Sequence, residues 1–502
     1  MIVLLALRNL LWRPWRSLLL FAGFGVGVGV MIVLLSIGEA MLLQARSERL
    51  VGGGEITVLP EGLDIELMKT GGLGGLFYSI SNARFLNLQL FSSPRLAGSV
   101  AAVAPQIEGK LLYLRTPDGR EVTVRATGEI PDATRAVGAA PVLAAGTWRD
   151  DNLDRRWMAP TRAELLNDID HFHHAPADAA HPETWAEWHY FNVLSADRRR
   201  WWFLTLAVGG DVPRGEWGGQ VLLSAQGDAQ GDAQGDRRFT AAVPSQQVQL
   251  STTHADLVLG ASRVTLLPNG RYHVVASASD EAGGGGRATV DVVVTPAPRA
   301  YFPGVALGGE ALVSGYAVPA LRAAATGRIC VDGRCEELRE AQAYHDHNWG
   351  IWRRVDWEWG AARAGEFSFL YGRVQPTDSV ADVTPLLLYL TDSLGFRALF
   401  RPRAVTYDDG RTILVNGARV RVPSRAVLAD ARGNDTLRVE LEIEHATGTD
   451  TRLGFLARGD TTEARGIARP YFIQMKGVAR LSGRVDGQPV SGVGTGFFET
   501  YR

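Results

Sequence analysis

An uninterrupted apolar stretch near the amino terminus limits most strongly what this chain can fold into. From Ser17 to Gly38, the run SLLLFAGFGVGVGVMIVLLSIG contains 22 residues and no charged side chain. At 1.5 Å per residue, a helix of that length spans about 33 Å, which is enough to cross a bilayer. The apolar region of a cleaved signal peptide is normally about 7 to 15 residues long, so the length favours a retained membrane anchor over a signal peptide.

The charges on either side of this stretch predict its orientation. Arg8, Arg13 and Arg16 precede it, whereas Glu39 follows it. Because positive residues are enriched on the cytoplasmic side of membrane helices, we expect the amino terminus in the cytoplasm. The predicted localisation is therefore the bacterial inner (cytoplasmic) membrane, crossed once, with the C-terminal bulk extracytoplasmic or periplasmic.

The opening run LALRNLLWRPWRSLLLFAGFGVGVGVMIVLLSIGEAM resembles the first helix of MacB/FtsX-type ABC transporter permeases. The resemblance implies an amphipathic segment and anchor over residues 1–41, and a shortened, small α+β extracytoplasmic core domain over 42–150. No later apolar run of about 18 residues follows, and no G-x-x-x-x-G-K-[ST] loop occurs, so the chain is not expected to transport alone. An ABC-type ATPase and permease is a candidate partner.

The composition beyond the anchor is typical of a β-rich protein. The 52 basic and 54 acidic residues of the whole chain give a net charge of −2, and no basic stripe downstream of the anchor is concentrated enough to favour nucleic acid as a partner. The 57 glycines, with runs such as RYHVVAS, ATVDVVV and LRVELEIEH, predict many short strands joined by glycine turns. At 502 residues, several domains are expected.

The strand-like runs predict two consecutive antiparallel β units after a linker. Residues 151–183 contain DIDHFHHAPADAAHPET, whose histidines lack regular ligand spacing, so a solvated linker is favoured over a metal site. The tandem repeat AQGDAQGDAQGD at 225–236 favours a flexible loop insertion. The runs form a first unit over 184–325 and a second over 326–502, each curled into a barrel or sandwich that avoids open edges.

The two cysteines, Cys330 and Cys335, flank a predicted hairpin in GRICVDGRCEEL. The pair Asp332-Gly333 is a strong two-residue turn signal, and it would place Cys330 directly opposite Cys335. Opposed strand residues can form a disulfide in an oxidising compartment. With only two thiols, a structural zinc site built on cysteine is disfavoured.

The run AYHDHNWG, residues 343–350, concentrates the side chains with chemical potential. If it is a strand, alternation places Tyr344, Asp346 and Asn348 on one face and His345, His347 and Trp349 on the other. The two histidines could share a metal, but no third ligand is marked by sequence spacing, so we expect none. A strand whose polar side chains only hydrogen-bond one another is the alternative.

Aromatic residues around this run favour an apolar ligand. They occur in GIWRRVDWEWG and WAEWHYF and comprise Trp352, Trp357, Trp359, Trp185, Trp188, Tyr190 and Phe191. Aromatic faces suit an isoprenoid ligand and stabilise a carbocation, although many of these rings could simply fill barrel cores.

Burial in such a pocket would raise the pKa of Asp346, which could then protonate a carbon–carbon double bond without metal or redox cofactor. Nearby histidines could re-protonate the acid or orient it.

Four segments, GYAVPAL, AYHDHNWG, WEWG and GFFETYR, resemble the carotenoid 1,2-hydratase (hydroxyneurosporene synthase) and AttH-like superfamily over about 184–502. The resemblance implies two lipocalin-like β units and addition of water to a terminal isoprenoid double bond without cofactor. It implies Asp346 as proton donor, with Tyr344, His345 and His347 in the same motif. The candidate substrate contacts are Asn348, Trp349, Trp357, Trp359, Trp188 and Tyr316.

Two functions of different kinds follow from these features. The first is a membrane-anchored, hydratase-like enzyme that adds water to, isomerises or cyclises a hydrophobic, carotenoid or other isoprenoid substrate. The second is a lipocalin-like carrier that delivers a hydrophobic ligand to an ABC-type transporter. A hydrophobic small molecule and the membrane are expected partners in both.

Overall fold

A computed structural model of the chain shows two compact units. It describes residues 12, 14–47, 56, 80–138, 151–175, 181–195, 200–226, 236–281, 283–307, 314–353, 355–376, 386–453 and 461–502. One unit comprises Met1–Tyr78 with Val100–Trp157, and the other comprises Ser79–Ser99 with Met158–Arg502. Most of the tandem repeat, at 227–235, and much of the predicted core domain, at 48–55, 57–79 and 139–150, lie outside the described residues.

The helices are few and short apart from the first. They are α1 (Pro14–Ser47), α2 (Ile80–Ser92), α3 (Pro131–Ala136), α4 (Asn152–Met158), α5 (Arg162–Ile169) and α6 (Thr461–Gly466), with short 3-10 turns at Pro182–Thr184 and Ser245–Gln247. Within the described part of the chain, α1 alone is long and apolar enough to cross a membrane, with a mean hydropathy of 2.7 over Pro14–Ser36. None of the residues in its most apolar window is buried.

The first compact unit also contains an antiparallel hairpin. Its strands are β1 (Gln106–Arg115) and β2 (Glu121–Glu129). Helix α3 follows β2, with Pro131 at its first turn and Thr134 buried. Helix α2 was predicted to belong to the domain over residues 42–150, but it lies in the second compact unit.

A closed eight-stranded barrel forms the first half of the second unit. The strands of its sheet are β3 (Trp185–Leu194), β4 (Trp201–Asp211), β5 (Glu216–Gln226), β6 (Arg237–Pro244), β7 (Val248–Leu250), β8 (Leu257–Leu259), β9 (Ser262–Leu266), β10 (Tyr272–Asp280), β11 (Arg287–Pro296), β12 (Phe302–Leu307), β13 (Ser314–Val331) and β14 (Arg334–Ile351). The barrel runs β10–β11–β13–β14–β3–β4–β5–β6 and closes where β6 pairs with β10. Its interior is filled by alternate side chains of every strand, among them Phe191, Leu206, Val221 and Val274.

The β13–β14 hairpin turns at two residues with left-handed backbones, Asp332 at φ 51° and Gly333 at φ 78°. Such a pair is what a tight two-residue turn between antiparallel strands requires. Val331 pairs with Arg334 and Cys330 with Cys335, and the two cysteines are joined by a disulfide.

The segment interpreted as a solvated linker instead packs into the barrel over part of its length. Thr161 caps α5 by a reciprocal hydrogen-bonded box with Glu164. Beyond the cap, Leu166, Ile169 and Phe172 are buried in the barrel core. These apolar residues follow helical spacing, but they stand in a run that is otherwise mostly polar. The surrounding alanines, prolines and acids made this run look like a linker.

A curled nine-stranded sheet forms the second half. Its order is β18–β17–β16–β15–β25–β24–β23–β22–β19, and β20 pairs with β21 beside it. The strands are β15 (Val355–Ala364), β16 (Phe367–Pro376), β17 (Leu387–Asp392), β18 (Gly395–Phe400), β19 (Thr406–Asp408), β20 (Arg411–Val415), β21 (Ala418–Val422), β22 (Arg425–Arg432), β23 (Asp435–Asp450), β24 (Tyr471–Val485) and β25 (Gln488–Tyr501). The predicted mainly β fold with two consecutive lipocalin-like units is confirmed.

The boundary between the two β units differs from the prediction. The sequence placed residues 326–502, including the AYHDHNWG run, in the second unit, but β14 pairs with β13 and β3 in the first sheet. The second sheet begins only at β15. The hairpin turn at Asp332-Gly333, which the sequence predicted, returns the chain along the same barrel wall.

A third hydrophobic layer lies between the two sheets. Residues from the outer face of the barrel wall pack against residues of β15, β16, β17 and β25. They include Tyr190, Phe203, Tyr316 and Tyr344 from the barrel and Trp359, Leu370, Tyr389 and Phe497 from the second sheet. This interface layer therefore buries a barrel face that an isolated barrel would expose to water.

Candidate functional site

Strand β14 separates the AYHDHNWG side chains into two compartments. Tyr344 belongs to the interface layer, and Asp346 is 3% exposed on the same face. His345 and His347 are fully buried and contact Asp170 inside the barrel. The alternation that the sequence predicted is therefore present, with one face in the interface layer and the other in the barrel interior.

Asp346 is a buried carboxyl with polar neighbours from its own strand. The side-chain amide of Asn348 donates to its Oδ1 at 2.7 Å. The indole N–H of Trp359 donates to the hydroxyl of Tyr344 at 3.1 Å, and this hydroxyl interacts with Asp346 in turn. Burial and the charge of Glu499 raise the pKa of Asp346 well above its usual range, and they outweigh the hydrogen bonds that favour its ionised form.

A second buried carboxyl, Glu499 of β25, faces the same layer. It accepts hydrogen bonds from the indole of Trp357 at 3.0 Å, the amide of Gln474 at 3.1 Å and the hydroxyl of Tyr190 at 3.3 Å. Burial raises its pKa, whereas these three donors favour the carboxylate. Tyr190 lies on β3, directly opposite Asp346. Its hydrogen bond to Glu499 therefore connects the barrel wall to the second sheet.

Aromatic rings surround this carboxyl pair. Phe497 lies 4.8 Å from Tyr344 and 5.8 Å from Tyr190 between ring centroids, and Tyr316 lies 4.7 Å from Trp359. Ring faces of this kind stabilise a cation within about 6 Å of a centroid. The layer thus combines a buried acid with a raised pKa, a second carboxyl and aromatic faces.

A surface groove of about 750 Å³ lies close to this layer. Trp185, Trp217 and Trp352 contribute to its lining. The ring of Trp352 is 6.0 Å from that of Trp357, whose indole donates to Glu499. The contact between the rings of Trp352 and Trp357, followed by the hydrogen bond from Trp357, therefore links the groove lining to Glu499.

The inner face of β14 contributes to a histidine–carboxylate cluster. His345 Nε2 lies 3.1 Å from Asp170 Oδ2, and His347 Nδ1 lies 2.6 Å from Asp170 Oδ1. His347 Nε2 is also 2.9 Å from Glu187 Oε1. The hydroxyl of Tyr272 donates to Asp170 Oδ2 at 2.6 Å.

The ionisation of this cluster is strongly coupled. Burial opposes a charge on Asp170, but the hydrogen bonds with His345 and His347 hold the pKa of Asp170 well below its usual range. Burial lowers the pKa of His347, yet its contacts with Asp170 and Glu187 outweigh burial and raise that pKa to about 9. A protonated His347 between two carboxylates is the resulting arrangement.

Three of these residues could hold a metal ion. One ligand atom each from Asp170, His189 and His347 lies within 4.8 Å of the other two, and all three residues are buried. The sequence supplied only the histidines of β14, because Asp170 follows α5 and His189 lies on β3. Sequence spacing marked no third ligand beside the two histidines of β14, and the structure places Asp170 and His189 beside His347.

The structure brings together most of the predicted site residues but not all of them. Tyr344, Asp346, Asn348, Trp357, Trp359, Trp188 and Tyr316 lie on the outer face of the barrel wall or in the facing sheet. His345, His347 and Trp349 point into the barrel, where Trp349 stacks on His173 at 4.2 Å. The strand backbone lies between these histidines and Asp346, and that they re-protonate or orient this acid stays a prediction.

Sequence reasoning missed Glu499 and the Asp170, Glu187 and His189 members of the interior cluster, and it named Tyr190 only among the aromatic residues. Glu499 stands in the quoted run GFFETYR, and alternation along β25 would have placed it on the face of Phe497. Alternation along WAEWHYF likewise places Glu187 and His189 on one face. Asp170 had no comparable signal, since it lies outside any strand.

The comparisons with known proteins give structural likeness alone. No protein-family model matches the chain, and no curated protein matches it. An AttH-type protein from Nitrosomonas europaea is 16% identical, with a TM-score of 0.43, over 66% of this chain and 98% of that chain. Kievitone hydratase from Nectria haematococca is 12% identical, with a TM-score of 0.41, over 66% and 95%.

CghA with Sch210972 is 14% identical to this chain, with a TM-score of 0.40, over 64% of this chain and 89% of that chain. At these identities and scores the likeness assigns no role to any residue. The site is therefore argued from its own geometry.

Proposed function

We propose that this chain is a hydratase-like enzyme that uses Asp346 to protonate a double bond of a hydrophobic, isoprenoid-class substrate. The observation that carries the proposal is the placement of Asp346: a buried acid in an aromatic layer, opposite a second buried carboxyl. The resemblance of AYHDHNWG to the carotenoid 1,2-hydratase and AttH-like superfamily supports the same residue.

The proposed reaction begins when Asp346 donates its proton to one alkene carbon. The other carbon becomes a tertiary cation, and Asp346 becomes a carboxylate. The rings of Trp359 and Phe497 and the charge of Glu499 stabilise this cation. Water, positioned by Tyr344 or Asn348, then adds to the cation and releases a proton that returns to Asp346. Alkene and water are thus converted to alcohol, and the acid is regenerated.

The same acid would start an isomerisation or cyclisation if water were excluded. In that case the cation loses a proton from a neighbouring carbon or is captured by an internal double bond. The polar neighbours of Asp346, which can hold a water, favour hydration among these outcomes.

Turnover in heavy-oxygen water tests the proposal. The full chain, purified in detergent, would be incubated with carotenoid and shorter isoprenoid polyenes in H₂¹⁸O, and the product would be examined by mass spectrometry. We expect an alcohol that carries one heavy oxygen. Native mass spectra that show bound polyene but no product after long incubation would refute hydration and support the carrier instead.

We further propose that α1 anchors the enzyme in the inner membrane with the β units outside the cytoplasm. The charge distribution around the anchor and the Cys330–Cys335 disulfide support this orientation, because disulfides persist in oxidising compartments. Cells treated with a thiol-reactive maleimide should leave both cysteines unlabelled unless a reductant is added first. Labelling of both cysteines without reductant would contradict this orientation.

A further inference from the structure

The interior of the first barrel contains an arrangement that the hydratase chemistry does not use. Asp170, His189 and His347 come from three separate segments and are all fully buried. One ligand atom of each lies within 4.8 Å of the others. Zinc-class ions bind nitrogen and carboxylate oxygen at about 2.0–2.2 Å, so tetrahedral ligand atoms lie about 3.3 Å apart. The three side chains need only small adjustments to reach that spacing.

The surroundings of His189 give the clearest geometric support for a cation site. Its Nε2 is 2.7 Å from the carbonyl oxygen of Ala255, which can only accept, so Nε2 carries a hydrogen. Its Nδ1 lies 3.6 Å from Asp170 Oδ1, and no group in the described part of the chain donates a hydrogen bond to it. In a neutral ring this nitrogen presents a lone pair to a carboxylate oxygen. Two buried acceptors facing each other are unfavourable unless a cation lies between them.

Each potential ligand is also held on its far side, as metal ligands usually are. Ala255 holds His189 through Nε2, and Glu187 lies 2.9 Å from His347 Nε2. The other oxygen of Asp170 accepts from Tyr272 at 2.6 Å. These contacts aim His189 Nδ1, His347 Nδ1 and Asp170 Oδ1 at a common point.

The charges of the cluster suit a divalent ion. Asp170 and Glu187 supply two negative charges, which one divalent cation balances while both imidazoles stay neutral. Asp170 Oδ1 and His347 Nδ1 are 2.6 Å apart. A shared ion would lengthen that contact to about 3.3 Å.

We propose that the first barrel binds one divalent metal ion of the zinc class through Asp170, His189 and His347. The ion would fasten the segment after α5, through Asp170, to His189 of β3 and His347 of β14. Its role is structural, because Phe172 packs over the rings of His189 and His347 at 5.0 and 4.8 Å. This proposal does not depend on the hydratase activity.

Metal content after loading during folding tests the site. The full chain would be produced in minimal medium with Co²⁺ or Zn²⁺, purified in detergent and passed through a chelating column to remove surface-bound ions. We expect one metal ion per chain by elemental analysis and, for Co²⁺, visible absorption typical of a low-coordinate site. His189→Gln preserves a donor to Ala255 but removes the Nδ1 ligand, so it should lower the metal content at least about 10-fold.

The surface pair of His273 and Asp291, 3.0 Å apart, provides the matched control. His273→Gln should keep one ion per chain, whereas its loss there would indicate surface binding and overturn the proposal. Wild type without metal, or His189→Gln with an undiminished metal content, would also overturn it. If His189→Gln does not fold, X-ray absorption of the loaded wild type decides: two imidazole ligands support the site, and an all-oxygen shell refutes it.

Discussion

Replacing Asp346 by Asn should remove catalysis without harming the fold. Asn has the same shape, and its side-chain oxygen can still accept from Asn348, which now lies 2.7 Å from Asp346 Oδ1. Burial already favours the neutral acid, so a neutral amide should change the stability by no more than about 1 kcal/mol. An amide cannot donate the proton, however, and loss of a general acid costs about 10²- to 10⁴-fold in rate, or about 3–5 kcal/mol.

The assay for this variant is the rate of heavy-oxygen alcohol formation, measured beside the melting temperature of the same preparation. Asp211→Asn is the matched control, because Asp211 is 4% exposed in the barrel wall and pairs with Arg214 away from the interface layer. We expect Asp211→Asn to retain activity. An active Asp346→Asn would refute the assignment, and a variant that loses activity only because it melts several degrees earlier would show that Asp346 is structural.

Three further predictions concern the second sheet. Glu499→Gln keeps the side-chain size but removes the charge facing the proposed cation, so alcohol formation should fall about 10- to 100-fold, and an unchanged rate would exclude Glu499 from the reaction. Burial raises the pKa of Asp356 to about 6, despite the ion pair with Arg469 at 2.7 Å. The folded chain therefore binds this proton more tightly than the unfolded chain, and Asp356 costs stability as the pH rises from about 4 to 6. The melting temperature of Asp356→Asn relative to wild type should rise between pH 4.5 and 7.5, by an amount equivalent to about 1–3 kcal/mol, and a constant difference would contradict this. Finally, a Cβ at Gly360 would clash with the ring of Tyr371, so Gly360→Ala should lower the stability by about 1–3 kcal/mol in thermal unfolding, and an unchanged melting temperature would contradict it.

The β architecture was predictable because its signals are local. Alternation of apolar residues and two-residue turns such as Asp332-Gly333 identify strands and hairpins from short windows of sequence. The partner of each strand is a long-range property. Consequently β14 was assigned to the second unit, although it pairs with β3, about 150 residues earlier in the chain.

From the sequence, only the part of the candidate site that lies on the single strand β14 was predictable. The alternation of AYHDHNWG separated Asp346 from His345 and His347 correctly. The residues that define each compartment come from elsewhere: Glu499 lies on the last strand, and Asp170 follows a short helix in an apparent linker. Their proximity arises from barrel closure and sheet packing, which no local pattern encodes.

The two faces of β14 make the register of this strand critical to both proposed sites. A shift by one residue would turn Asp346 into the barrel and His347 into the interface layer, since side chains alternate strictly. The β13–β14 pairing contains irregularities between Ala317 and Gly327, where slippage would be easiest. The tight turn at Asp332-Gly333 and the disulfide beside it fix the register at the hairpin end, and the contacts of His347 fix it at the other. By holding His347 in the barrel, the interior cluster therefore also holds Asp346 on the opposite face of β14.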